Sequence, residues 1–167
     1  MVKNLQEWKS VDLKKIALSY IDKEKGLNTL DEVLQGARDI VAEWISENSQ
    51  IRETMRNLFI KEAFITSKVK RDKKESGSKY EIYFDASEKL NRVPSHRLLA
   101  MLRGEEEEFL SLSIKPDSER AIRMLEKFTL KDRNTCSYQV KVATADAYQR
   151  LLQPQMETEM RKHFKAL

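Results

Sequence analysis

Cysteine is almost absent from this chain: Cys136 stands alone among 167 residues. One thiol can close no internal disulfide and cannot build a multi-cysteine metal site, which suits a reducing compartment. Glycine and proline are scarce as well, at four and three residues. With so little material for tight turns, a hairpin-dense sheet fold is disfavoured and helices are expected. No apolar run approaches the length of a membrane span, and no apolar leader precedes a cleavage site. No membrane partner and a cytoplasmic location are therefore expected. Fixed-period repeats and low-complexity tracts are also lacking. Charge is plentiful, at 35% of residues against 40% apolar. That balance describes a globular chain with a highly charged surface, long enough to bury one core or two small ones.

The net charge of +4 is local. Between Lys61 and Tyr80 lie seven basic residues and only three acidic ones (Glu62, Asp72 and Glu75), so this span holds the whole excess. Lys68, Lys70, Arg71, Lys73, Lys74 and Lys79 form the candidate nucleic-acid-binding set. Loop cations can neutralise phosphates and release counterions without reading sequence. Tyr80 and Tyr83 are close enough to offer stacking surfaces to bases. The competing reading is a solvated lysine-rich loop with the tyrosines turned into the core.

Helical periodicity is clear in several places. Val33, Leu34, Ala37, Ile40, Val41, Trp44 and Ile45 mark a helix over about Asp31 to Glu47, with Asp31 a suitable N-cap. Further helices are expected at Ser49 to Lys61, Ser95 to Arg103 and Ser118 to Phe128. Trp44, Phe59, Leu98, Leu102 and Leu125 are the predicted core. Gly104 fits a left-handed C-terminal cap. Tyr80, Tyr83 and Phe84 suggest a short aromatic-faced helix rather than a strand. The alternating runs Phe64 to Val69 and Leu110 to Ile114 read as two strands that could pair. Lys131 to Thr135 reads as a linker, and Pro154 should kink or split the last helical region. The expected fold is all-α and multihelical, with at most a small two-stranded β insertion. It is a single region over residues 1–167, with sub-units at 1–62 and 63–130 followed by C-terminal helices at 131–167.

Pro94, Ser95, His96 and Arg97 form a structural motif at a helix start. Ser95 and His96 are adjacent, so their side chains point in different directions, and no strained Gly-X-Ser-X-Gly turn surrounds them. Ser95 as cap, His96 as polar anchor and Arg97 on the surface or paired with a carboxylate is the structural account. Glu105 to Glu108 cannot converge on one ion without other ligands. The run is expected to be solvated, with some members paired to Arg97 or Arg103. No catalytic residue, metal or cofactor is assigned, and no enzymatic activity is expected.

The wording of two segments adds a resemblance. Pro94-Ser95-His96-Arg97, followed by Leu99-Ala100-Met101-Leu102-Arg103-Gly104 and the glutamates, resembles a phrase of the Tex family, the bacterial transcription accessory proteins. Asp22 to Leu27 and then Leu34 to Ile40 resemble a second phrase of that family, in the same order. The resemblance covers roughly residues 17–130 and continues more weakly beyond. It implies a piece of the helical N-terminal region of a longer protein. In that family a resolvase-like domain, helix-hairpin-helix modules and an OB-type RNA-binding domain follow. It further implies nucleic acid, RNA or DNA, as partner of the full-length protein, together with the transcription machinery. For this region the expected role is a helical scaffold. The alternative is a protein–protein docking module, toward RNA polymerase or another domain of the same chain.

Overall fold

The computed structural model describes residues 12–131 and 135–166. Its helices are α1 (Leu13–Leu18), α2 (Leu30–Glu47), α3 (Ser49–Glu62), α4 (Ser95–Glu106), α5 (Ser118–Thr129), α6 (Ser137–Asp146) and α7 (Gln153–Lys165). The strands are β1 (Phe64–Val69), β2 (Asp85–Lys89) and β3 (Leu110–Lys115), with short 3-10 turns at Lys23–Lys25 and Ser78–Tyr83. The chain divides into two compact units. One runs to Arg52 and resumes over Ala121–Leu152; the other holds Glu53–Arg120 and the chain from Gln153 onward.

In the first unit α2 is entered through a capping box. The Thr29 hydroxyl accepts from the Glu32 amide at 3.2 Å, and the Glu32 carboxylate accepts from the Thr29 amide at 3.1 Å. The cap is thus Thr29 rather than Asp31, which lies in the first turn and still favours the positive helix end. Val33, Ala37, Val41 and Ile45 recur four apart and form the buried stripe, packed against α6. Ile40 and Trp44 lie on the next stripe, and Trp44 is 42% exposed, not buried as expected. The apolar residues of α2 span more of its circumference than one packing face can cover. Arg38 donates to the Gln139 side chain at 2.6 Å, and the Thr129 and Thr144 hydroxyls meet at 2.8 Å. The disruption expected at Pro154 takes the form of a π-helical segment, Ala147–Leu152, just ahead of α7. Its wider turns come where a proline ring would crowd the carbonyl four residues back. Of the expected linker, residues 132–134 lie outside the described residues.

The second unit corrects the all-α expectation. Its centre is a three-stranded antiparallel sheet in the order β2-β1-β3. The pairing of β1 with β3 follows from their alternation, with Ile65 opposite Ile114 and Ser67 opposite Leu112. β2 is the additional strand. Its sequence, Asp85-Ala86-Ser87-Glu88-Lys89, offers no apolar alternation, so it is held by the backbone ladder with β1 and by its own ion pair. The Tyr80–Tyr83 stretch is helical only as a 3-10 turn before this strand begins. One sheet face carries the buried residues Ile65, Leu110, Leu112 and Ile114, and β3 packs on α4 and α7. Phe59, Leu98 and Leu102 complete this core, and Leu125 is buried in the first unit. On the opposite face Phe64, Lys68, Lys89 and Lys115 are exposed, and Thr66 and Ser113 are half-buried.

Helix α4 ends differently from the expectation built on Gly104. Gly104 is helical and the helix continues to Glu106. The left-handed residue is Glu108, at φ 61°. Phe109 donates its amide to the Gly104 carbonyl at 2.9 Å, and Glu108 donates to Glu105 at 3.1 Å. That pair of bonds is a Schellman ending, four residues later than expected and built on a glutamate. Gly104 is needed for close approach instead. A Cβ there would lie 2.5 Å from Leu110 Cδ1 and 2.9 Å from its Cγ.

Candidate nucleic-acid interface

The basic segment leaves β1 and folds back on itself through successive turns. Lys70 donates its amide to Phe109 O at 2.9 Å, Lys73 to Lys70 O at 3.0 Å, and Gly77 to Lys73 O at 2.9 Å. Gly77 is buried at the base, where a Cβ would meet Lys73 O at 2.8 Å and the Phe109 ring at 3.0 Å. The Phe109 ring carries the Lys73 ammonium 5.8 Å and the Lys79 ammonium 5.5 Å from its centroid. The loop is therefore an ordered turn clamped on one aromatic, rather than an untethered lysine tail.

This clamp sorts the candidate cations. Lys79 is ion-paired to Glu107 and also lies 5.0 Å over the Tyr80 ring. The Lys79 bond, acting against burial, holds the Glu107 carboxyl below the usual carboxylate range. Lys79 is thus largely spent on the fold. Lys68, Lys70, Arg71 and Lys74 are exposed and form no salt bridge among the described residues, and Lys73 is exposed over Phe109. Tyr80 and Tyr83 are not stacking surfaces: each is only 6% exposed. Burial, followed by the bond to Glu107, raises the Tyr80 phenol above its ordinary value.

At the start of α4, Ser95 and His96 depart from the expected cap and anchor, whereas Arg97 is paired with a carboxylate as expected. Pro94 takes the cap position without a side-chain cap bond, and Ser95 is the first helical residue. Ser95 and His96 are exposed. Arg97 is the working member. It donates from Nε to Glu88 of β2 at 2.9 Å, and its guanidinium lies 5.3 Å over the Tyr83 ring. That contact neutralises the one carboxylate on the inner side of β2.

Glu106, Glu107 and Glu108 are exposed as expected, but among the described residues the run forms its salt bridges with groups other than Arg97 or Arg103. Glu105 receives Arg161 of α7 at 2.9 and 3.0 Å, Glu106 pairs with Lys165, and Glu107 pairs with Lys79. Arg161 also donates to Glu157 at 3.2 Å and to the Leu112 carbonyl at 2.8 Å. This guanidinium joins α4, β3 and α7. Sequence reasoning missed it because its partners on α4 and β3 lie about fifty residues away. Among the described residues, no group of three His, Cys, Asp or Glu side chains could hold a metal. No described helix is long and apolar enough to cross a membrane.

The described residues are mainly helical, with a small three-stranded sheet and an exposed basic loop at one sheet end. Comparison with known sequences makes the assignment specific. A family model described as Tex central region-like matches residues 9–166. The chain belongs to the Tex family. It is 37% identical over 145 residues to the uncharacterized protein YdcI of Bacillus subtilis, covering 86% of this chain and 20% of that protein. It is 40% identical over 101 residues to protein YhgF of Escherichia coli, covering 60% of this chain and 13% of that protein. Over 82 residues it is 39% identical to the transcriptional accessory protein Tex of Neisseria gonorrhoeae, covering 49% of this chain and 11% of that protein. The chain thus spans a fifth or less of the length of these relatives.

Proposed function

We propose that this region is a non-enzymatic scaffold of a Tex-like transcription accessory protein and contributes a weak, sequence-independent contact to nucleic-acid phosphates. The observation that carries the reading is the ordered loop holding Lys70, Arg71, Lys73 and Lys74 outward, with Lys70, Arg71 and Lys74 free of salt bridges among the described residues. Cations presented this way gain affinity by counterion release, and the buried tyrosines add no base stacking. The similarity to the transcriptional accessory protein Tex of Neisseria gonorrhoeae supports a transcription-related setting. The test is a titration against duplex DNA and single-stranded RNA at two salt concentrations. Lys70→Ala, Arg71→Ala, Lys73→Ala and Lys74→Ala combined should weaken binding to both and reduce the salt slope, with the circular dichroism spectrum unchanged. Equal binding by parent and variant at low salt refutes the phosphate contact.

A protein-docking role is the second reading. Three of the four glutamates at 105–108 are held in internal ion pairs, which argues against an acidic docking patch. The outward Ile40 and Trp44 stripe of α2 remains and supports the docking role.

A further inference from the structure

The solvent face of the sheet has its own chemistry, apart from the basic loop. The antiparallel register places Phe64 of the central strand between Lys89 on one side and Lys115 on the other. The next row across the three strands is Ser87, Thr66 and Ser113, all hydroxyl-bearing, with the Thr66 and Ser87 oxygens 3.3 Å apart. Phe64 is 41% exposed although it occupies the middle strand, and both flanking lysines are exposed. The Lys89 ammonium lies over the Phe64 ring, 5.8 Å from its centroid. Glu62, the acid that closes α3 beside this row, is engaged first by Arg120, including a 2.7 Å bond from Nη2, and feels the Lys89 charge less strongly.

An exposed ring on a sheet, bracketed by cations, is the arrangement by which sheet surfaces take up single strands. A base stacks on the aromatic, and the backbone phosphates on either side meet the cations. Adjacent strands are about 4.8 Å apart, so the two lysine backbones stand about 10 Å from each other with the ring between them. The hydroxyl row is the neighbouring row on the same face as the ring. Hydroxyl partners there favour a ribose, whose 2′-OH both donates and accepts. A duplex keeps its base faces stacked internally and cannot use this ring.

We propose that the outer face of the β2-β1-β3 sheet is a binding platform for single-stranded RNA, with Phe64 as the stacking residue, Lys89 and Lys115 as phosphate contacts, and the Ser87, Thr66 and Ser113 row facing the ribose. The platform does not depend on the loop contact proposed above. The test is fluorescence anisotropy of the whole chain with labelled oligouridylate, the matching oligodeoxyuridylate and a duplex DNA. Phe64→Ala should weaken oligouridylate binding about 5- to 100-fold and leave duplex binding unchanged, while Phe64→Trp should bind like the parent. Lys89→Ser combined with Lys115→Ser should lower the salt slope for oligouridylate by about 0.7 per lost phosphate contact. Circular dichroism checks that each variant stays folded. Oligouridylate binding as tight in Phe64→Ala as in the parent, or no binding by the parent, overturns the platform. Equal affinity for the deoxy strand overturns the assignment to RNA. The loop variant reads separately, because it should lower duplex and single-strand binding together, whereas Phe64→Ala lowers only the latter.

Discussion

Replacing Gly104 with alanine separates two accounts of the same residue. Alanine is favoured over glycine in a helix interior by about 1 kcal/mol. Against that, the new methyl would sit 2.5 Å from Leu110 Cδ1 and 3.3 Å from Tyr80 Cδ1, and Leu110 is fully buried. Forcing a methyl into a packed core costs roughly 1–3 kcal/mol, so a net destabilisation of about 1 kcal/mol is expected. The decisive measurement is a double-mutant cycle by urea unfolding. Leu110→Ala alone should cost about 2–5 kcal/mol and open the space that the methyl needs. In that background Gly104→Ala should become neutral, or stabilising by up to about 1 kcal/mol. A left-handed cap would instead cost about 1–2 kcal/mol whatever stands at position 110. Additivity of the two substitutions would therefore refute the close-packing account.

Other expectations follow from the same packing. Arg161→Met should destabilise by about 1–3 kcal/mol in urea unfolding, because it strands the part-buried Glu105 and Glu157. Arg161→Lys should recover less than half of that, since an ammonium cannot keep the forked contact. Glu62 and Glu107 are both held below the ordinary carboxylate range, first by hydrogen bonds from Arg120 and Lys79 respectively. A carboxyl lowered on folding contributes stability that is complete above its unfolded value and is lost as pH falls through the folded one. Thermal stability should therefore decline as pH drops below about 4.5, and Glu62→Gln with Glu107→Gln should flatten that decline. Trp44→Ser should change stability by no more than about 0.5 kcal/mol, whereas Phe59→Ala should cost about 3–5 kcal/mol. A large loss at Trp44 would mean that α2 packs with its other face inward.

The helices were legible wherever one apolar stripe dominated, as along Ile51, Met55, Leu58 and Phe59, all buried. β1 and β3 were legible because a half-buried strand alternates, and the inward residues of both obey that rule. β2 was not, because its inward positions are Ala86 and the neutralised Glu88, which carry no hydrophobic signal. Trp44 misled because α2 carries two apolar stripes and sequence alone does not say which one meets α6. At the candidate site the basic loop was visible as a charge excess. Its sorting into free and engaged cations depends on Phe109 and Glu107, about thirty residues further along the chain. The lysine-flanked Phe64 is likewise a product of register: Lys89 and Lys115 become its neighbours only once both strands are in place.

The glutamates after Gly104 have a further consequence, which concerns spacing. Three neighbours in sequence bind Arg161 and Lys165 on α7 and Lys79 beside the basic loop, and the fourth makes the left-handed turn into β3. In a helix each residue points about 100° from the one before. Deleting one glutamate would leave the local composition nearly unchanged, yet it would turn the remaining carboxylates away from their partners and shift the turn. Chain length is therefore the property this short run guards most closely. A substitution removes one contact, whereas a single-residue insertion or deletion would unfasten α7, the loop and the entry to β3 together.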